Sequence, residues 1–337
     1  MTLRTSLIRF ARGANGRVRA AWRGLLPFTV GFGVQLVALA LIAAALRATI
    51  DTDALGSVAV EALDLLLLGV ASAVGLGVAV ALAHRLDRRS LADYGIALSR
   101  RDLADFAAGT VVGGLTYAVP TVVLLEVGSA TLTDRFVSPV ADTGVTALFA
   151  GVAVVVFLAQ VAFEEFAFRG AMLRNFAEGV AARGLGARPA VVVALAVSSV
   201  CFGMMHAIRS GGGGVAGRSV ELVVASALNG LLWGGAYVLT GRLSIATGLH
   251  FGHNLWAATI LQPSSIEMAL PAVATITYDV SLLSLTVGKG LVGGVCLFAW
   301  LSLTYDTVVL EADIARWTDD STDHKDEGAQ RATTTDD

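Results

Sequence analysis

Cysteine is nearly absent: Cys201 and Cys296 are the only two in 337 residues, and both lie in apolar runs. That argues against a disulfide framework and a cysteine-rich metal site. Charge is scarce as well, at 15% of residues against about 25% in soluble domains. Lysine occurs only as Lys289 and Lys325, so nearly all the positive charge is arginine. There is no internal repeat, phosphate-binding loop, dinucleotide fingerprint or nucleic-acid signature. A cleavable signal peptide is not expected, because the first apolar run is too long and no small-residue cleavage pattern follows it. What the chain has in quantity is apolar residues, 55% of the total, with a mean hydropathy of +0.72. This composition points to an integral membrane protein.

A membrane span needs about 20 predominantly apolar residues. Eight stretches meet that length, roughly 26–46, 65–83, 106–127, 145–170, 189–208, 219–239, 243–261 and 284–305. The expected fold is therefore all-α, a polytopic bundle of about eight transmembrane helices. Arginine clusters before the first span and in every second connection, while Asp51, Asp53, Asp134, Asp142, Glu267 and Asp279 mark the loops between. By the positive-inside rule both termini face the cytoplasm. Three regions follow: a basic arm over 1–25 whose arginines face anionic lipid, a transmembrane domain over 26–305, and an acidic tail over 306–337 that begins helix-like and ends disordered. With arginine favoured over lysine and an Asp- and Thr-rich tail, a prokaryotic plasma membrane is the expected location.

Charge inside an apolar span costs about 2.5–3.5 kcal/mol per residue on insertion scales, so it marks function by default. The fourth span contains Glu164, Glu165 and Arg169. Glu165 and Arg169 are one turn apart with the acid first, the order in which a helix pairs them best. Glu164 points about 100° away and has no basic partner on its own helix. Two later spans carry Phe202 with His206 and His250 with Asn254, each pair four residues apart and so on one face. Each histidine alone could be an ordinary interhelical hydrogen bond. His253, offset about 60° from His250, is read as facing a neighbouring helix.

These residues resemble a known set. Glu164-Glu165-x-x-x-Arg169, Phe202-x-x-x-His206 and His250-x-x-x-Asn254 are similar to the three motifs of the CPBP intramembrane proteases. That family includes the type II CAAX prenyl endopeptidases and the Abi or bacteriocin-processing proteins. The resemblance covers about residues 90–262. It implies peptide-bond hydrolysis inside the membrane by a water held between Glu164 and His206. His250 and Asn254 would donate to the developing oxyanion, while Glu165, Arg169 and Phe202 would support the site. It also implies a membrane-embedded or lipid-anchored peptide as substrate.

Two histidines and a glutamate could ligate zinc with an open fourth position. The compact His-Glu-x-x-His pattern is missing, however, and the ligands would come from three helices. No cofactor and no metal are expected. Two rival readings stay open on the residues: a proton-coupled transporter with Glu164 and the histidines as a relay, and a catalytically inert scaffold. Against the transporter, the chain has no matching halves with broken helices.

Overall fold

In hydrocarbon every backbone N–H and C=O must be satisfied within its own segment, so the apolar runs fold as helices. The computed structural model describes residues 10–13, 16–50, 57–138, 142–209, 216–265 and 270–316. Helices α1 (Ala20–Thr49), α2 (Ser57–Asp87) and α3 (Arg100–Glu126) are followed by α4 (Thr143–Glu165), which runs through a π-helical segment, Phe166–Leu173, into α5 (Arg174–Ala181). Then come α6 (Ala187–Arg209), α7 (Ala216–Thr240), α8 (Leu243–Leu255) with a π turn over Trp256–Ile260, and α9 (Leu282–Thr304). Among the described residues seven helices are long and apolar enough to cross a membrane, counting α4 to α5 as one rod, Thr143–Ala181. The eighth expected span, α8 with its π turn, falls outside that group because two histidines and Asn254 dilute its apolar character.

Polar side chains close several helix ends. Ser99 and Asp102 form a reciprocal cap at the start of α3, Asp142 accepts from the Val145 N–H at 2.9 Å, and Ser281 accepts from the Ser284 N–H at 3.1 Å. Such caps satisfy donors that the helix itself leaves free.

The α4–α5 rod is the axis of the bundle. An amphipathic helix buries one stripe, yet every residue from Phe163 to Leu173 is buried. Four helices, α1, α2, α6 and α8, all touch the π segment. The segment widens the helix immediately after Glu164 and Glu165, and such bulges are frequent at functional sites.

The tightest seam joins α3 to α8. Gly109 and Gly113 on α3 face Gly248 and Gly252 on α8, and a Cβ on any of the four would run into a backbone carbonyl of the other helix. Small residues four apart on both helices permit this approach in lipid. Elsewhere within the spans Gly69, Gly75, Gly230 and Gly234 face neighbours, while Gly77 and Gly235 face open space. Gly252→Ala is expected to cost about 1–3 kcal/mol, the usual range for overpacking. Thermal unfolding in detergent checks this, with Gly77→Ala as the silent control.

A three-stranded sheet was not expected. Strands β1 (Ala130–Val137), β2 (Leu261–Pro263) and β3 (Ala272–Tyr278) are ordered β1-β3-β2, with β1 antiparallel and β2 parallel to β3. Ala272, Ala274 and Ile276 turn inward in alternation with Val273, Thr275 and Thr277. That two-residue period is visible in the sequence, but Asp134, Arg135 and Asp279 around these strands read as loop. The helical character of the protein is unaffected.

The opposite end of the bundle is basic, and there the arginines are paired. Arg23, expected to face lipid, is 3% exposed and bonds both Asp87 and Glu178, the latter at 2.7 Å. Arg17 reaches Glu178 at 3.1 Å, and Arg89 bridges Asp87, Glu178 and the Arg316 carbonyl. The cluster ties the start of α1 to the ends of α2 and α5 and to the last described residue. Residues 306–316 are correspondingly not a polar helix: a 3₁₀ turn, Ala312–Ala315, buries Ile314 and Ala315 in the core. Residues 1–9 and 317–337, parts of the arm and tail, lie outside the described residues. Beside this cluster Asp105, fully buried, accepts from Trp300 at 3.1 Å and from Tyr305 at 2.7 Å.

Candidate active site

Glu164, Glu165 and Arg169 lie where α4 passes into the π segment, all at most 2% exposed. Arg169 donates from Nη1 to Glu165 Oε1 at 2.9 Å and from Nη2 to the Gly230 carbonyl of α7 at 3.0 Å. Its guanidinium lies 4.7 Å from the Phe202 ring centroid and 5.7 Å from that of Trp233. A planar cation beside two aromatic rings, with Nη1 and Nη2 each donating to an oxygen, is fixed in place.

Glu165 does more than neutralise Arg169. His250 Nδ1 lies 2.8 Å from the same Oε1, and because an ionised carboxylate only accepts, Nδ1 carries the proton. The other ring nitrogen, Nε2, lies 3.7 Å from Glu164 Oε2, beyond a direct hydrogen bond. One imidazole thus spans both carboxylates, bonded to one and facing the other across a short gap. Trp233 stacks on it with ring centroids 3.7 Å apart and planes 14° apart, which fixes the ring's plane.

Glu164 has a partner on its own helix after all. Gln160, one turn earlier, donates from Nε2 to Glu164 Oε1 at 3.1 Å and leaves Oε2 toward His250. A neutral amide four residues away is not what a search for cations on that helix finds.

His206 is half-buried on α6, with Nδ1 3.0 Å from its own helix's Phe202 carbonyl. A carbonyl can only accept, so Nδ1 is the donor and Nε2 keeps the lone pair in the neutral ring. The Phe202 ring links the two histidines, 4.6 Å from His206 and 5.7 Å from His250. Asn254, one turn beyond His250, is half-buried, and its side chain bonds to nothing among the described residues.

The structure thus brings Glu164, Glu165, Arg169, Phe202 and His250 into contact, with His206 joined through Phe202 and Asn254 on the same helix as His250. His253 faces elsewhere: Nδ1 meets the Thr116 hydroxyl at 3.1 Å, and its ring packs on Tyr117 and Trp233. Trp233, Gln160 and Gly230 were not foreseen. Only Gln160 left a signal, its spacing from Glu164. The cleft bounded by Leu46, Arg47, Asp64 and Leu67 lies between the other ends of α1 and α2 and holds none of these residues.

Comparison with known families bears directly on this arrangement. Residues 146–256 match the family described as Rce1-like, type II CAAX prenyl endopeptidase Rce1-like. The match supports membership of the CPBP/CAAX protease family. It runs from the first turn of α4 to just past Asn254, so it contains all seven residues of the three motifs, while α1, α2, α3 and α9 lie outside it. No curated protein and no solved structure matches the chain. At the family level the Rce1-like match supports a CAAX-type intramembrane endopeptidase in a multi-pass membrane protein.

Proposed function

We propose that the chain hydrolyses a peptide bond of a membrane-embedded or lipid-anchored substrate, with Glu164 as general base. The observation that carries this reading is the pair of carboxylates that share His250 while differing in their partners. Glu165 is held by Arg169 and His250 together, which commits it to support. Glu164 has a neutral amide on one oxygen and a gap of 3.7 Å between the other and His250 Nε2. A reacting oxygen seated beside that pair, within hydrogen-bond reach of both, would meet a base and a donor.

In this reading a water between Glu164 and His206 loses a proton to Glu164 as its oxygen attacks the carbonyl carbon. Glu164 later returns that proton to the leaving amine. His206 Nε2 accepts the second water proton and orients the nucleophile. The oxyanion role of His250 requires Nε2 to carry a proton as well as Nδ1. The charge this puts on the ring is opposed by Glu165, and Asn254 would supply a second donor. Each such donor is typically worth about 2.7–4 kcal/mol in the transition state.

The scheme needs no metal. Among the described residues no three His, Cys, Asp or Glu side chains are grouped as a metal site, and His250 Nδ1 and His206 Nδ1 are both committed to oxygen partners. The test is cleavage of lipid-anchored peptides by the purified protein in liposomes, with and without a strong chelator. Cleavage that survives the chelator is the expected result. Activity lost to the chelator and restored by zinc would reverse the metal-free assignment. Glu164-dependent proton flux without any cleavage would make the chain a carrier instead.

A further inference from the structure

Helices α1 and α2 meet tightly at one level and part at another. A Cβ on Gly31 would lie 2.9 Å from the Gly75 carbonyl oxygen, and beside that contact Gln35 donates to the Ser72 hydroxyl at 2.9 Å. Toward the ends remote from the Asp87 cluster, the same two helices enclose a cleft of about 180 Å³. A single water needs only roughly 10–15 Å³. Leu46 and Arg47 of α1 line one wall, and Val60, Leu63, Asp64 and Leu67 of α2 line the other. The α2 positions recur at three and four residues, so they form one face of that helix.

The cleft has an apolar floor and a charged rim. Leu67 is buried and Leu46, Val60 and Leu63 are half-buried, whereas Arg47 and Asp64 are exposed. Helix α2 has 31 residues, about 46 Å at 1.5 Å each, so it outruns a hydrocarbon core of about 30 Å. Its apolar run starts directly after Asp64, and that of α1 ends directly before Arg47. Both charges therefore stand where acyl chains give way to headgroups. Among the described residues neither side chain takes part in an ion pair or a hydrogen bond, although both line one cleft from opposite helices.

These features define an occupant: hydrocarbon for the floor, an anion for Arg47 and a cation for Asp64, in one molecule at the membrane surface. A phosphate suits a guanidinium, whose fork of donors matches its oxygens. A primary ammonium suits a carboxylate, which can only accept, because it brings N–H groups as well as charge. A phospholipid with phosphate but no amine would answer Arg47 and set its negative charge beside Asp64.

We propose that this cleft seats an aminophospholipid, its phosphate on Arg47, its ammonium on Asp64 and an acyl chain along Leu46, Leu63 and Leu67. The arginine-rich end of the bundle lies opposite, so by the positive-inside rule the lipid belongs to the outer leaflet. Both helices lie outside the Rce1-like match, and the site is independent of the peptidase reading.

The test counts bound lipid. The full chain, purified in detergent and stripped of lipid, is given an equimolar mixture of phosphatidylethanolamine, phosphatidylcholine and phosphatidylglycerol with identical acyl chains. Native mass spectrometry then reads what each molecule retains. Phosphatidylethanolamine is expected at least about tenfold above either competitor, an ordinary difference for one charge-assisted contact at about 1.4 kcal/mol per decade. Asp64→Asn should bring it down to the level of phosphatidylcholine, and Arg47→Gln should lower it as well. Arg85→Gln, toward the other end of α2, should leave the preference unchanged. If a charge variant fails to fold, Leu63→Trp takes its place, since an indole on the floor should expel the acyl chain and abolish the preference. Equal retention of the three lipids, phosphatidylglycerol retained best, or a preference that survives the cleft variants would overturn the proposal. So would a preference lost in Arg85→Gln.

Discussion

Glu164→Gln is expected to lower cleavage of a membrane peptide by a factor of about 10²–10⁴, the range that a positioned acid–base group supplies. The substitution keeps shape and volume. The new side chain still offers an oxygen to Gln160 Nε2, so that hydrogen bond survives. What it loses is the ability to take a proton from water. Because the substitution removes a charge that is 2% exposed in a membrane bundle, unfolding temperature should stay level or rise. Glu165→Gln is the informative partner. It also abolishes a charge, but it weakens the bonds to Arg169 and His250, so it should lower both activity and stability. Equal kinetic and stability losses in the two variants would mean that the carboxylates share one structural role, and the division of labour drawn here would fail. Retained cleavage in Glu164→Gln would remove Glu164 from the chemistry altogether.

How much of this was legible in the sequence depends on the range over which each interaction acts. Glu165 and Arg169 were readable because one helix sets their spacing, and the structure pairs them at 2.9 Å. The apolar runs, likewise local, gave the helices. Contacts across helices were harder. His250 and Glu165 are 85 residues apart, and no periodicity says which carboxylate of an adjacent pair a distant histidine will choose. Trp233 gave no sign that it would stack on His250 rather than sit at a membrane interface. Arg17 and Arg23 looked lipid-facing because their partners, Asp87 and Glu178, belong to remote helix ends. The α3–α8 seam is an intermediate case, since Gly109-x-x-x-Gly113 and Gly248-x-x-x-Gly252 are each visible but their pairing is not. The sheet was hidden by its length: three short strands with charged residues among them carry too little alternation to outweigh a loop reading.

Arg169→Leu is expected to destabilise the fold by about 3–5 kcal/mol, the usual loss when one partner of a buried ion pair is removed. The physical reason lies in what stays behind. Glu165 keeps its charge at 1% exposure with only His250 to answer it, and its Oε2 already lacks a hydrogen-bond partner. The Gly230 carbonyl loses its donor, and the Phe202 and Trp233 rings lose the cation beside them. Removing both charges together, as Glu165→Gln with Arg169→Met, should recover most of that stability, because a well-packed neutral pair often matches a buried salt bridge. Activity should not recover with it. His250 would no longer be held between two carboxylates, and an imidazole with a weakened Nδ1 anchor cannot keep Nε2 aimed at the gap beside Glu164. Thermal unfolding and cleavage measured on the same three proteins separate the two effects. A double variant that regains cleavage along with stability would mean that Glu165 and Arg169 only brace the helix. One that regains neither would mean that the pair specifies how the π segment sits against Gly230 of α7, beyond balancing charge.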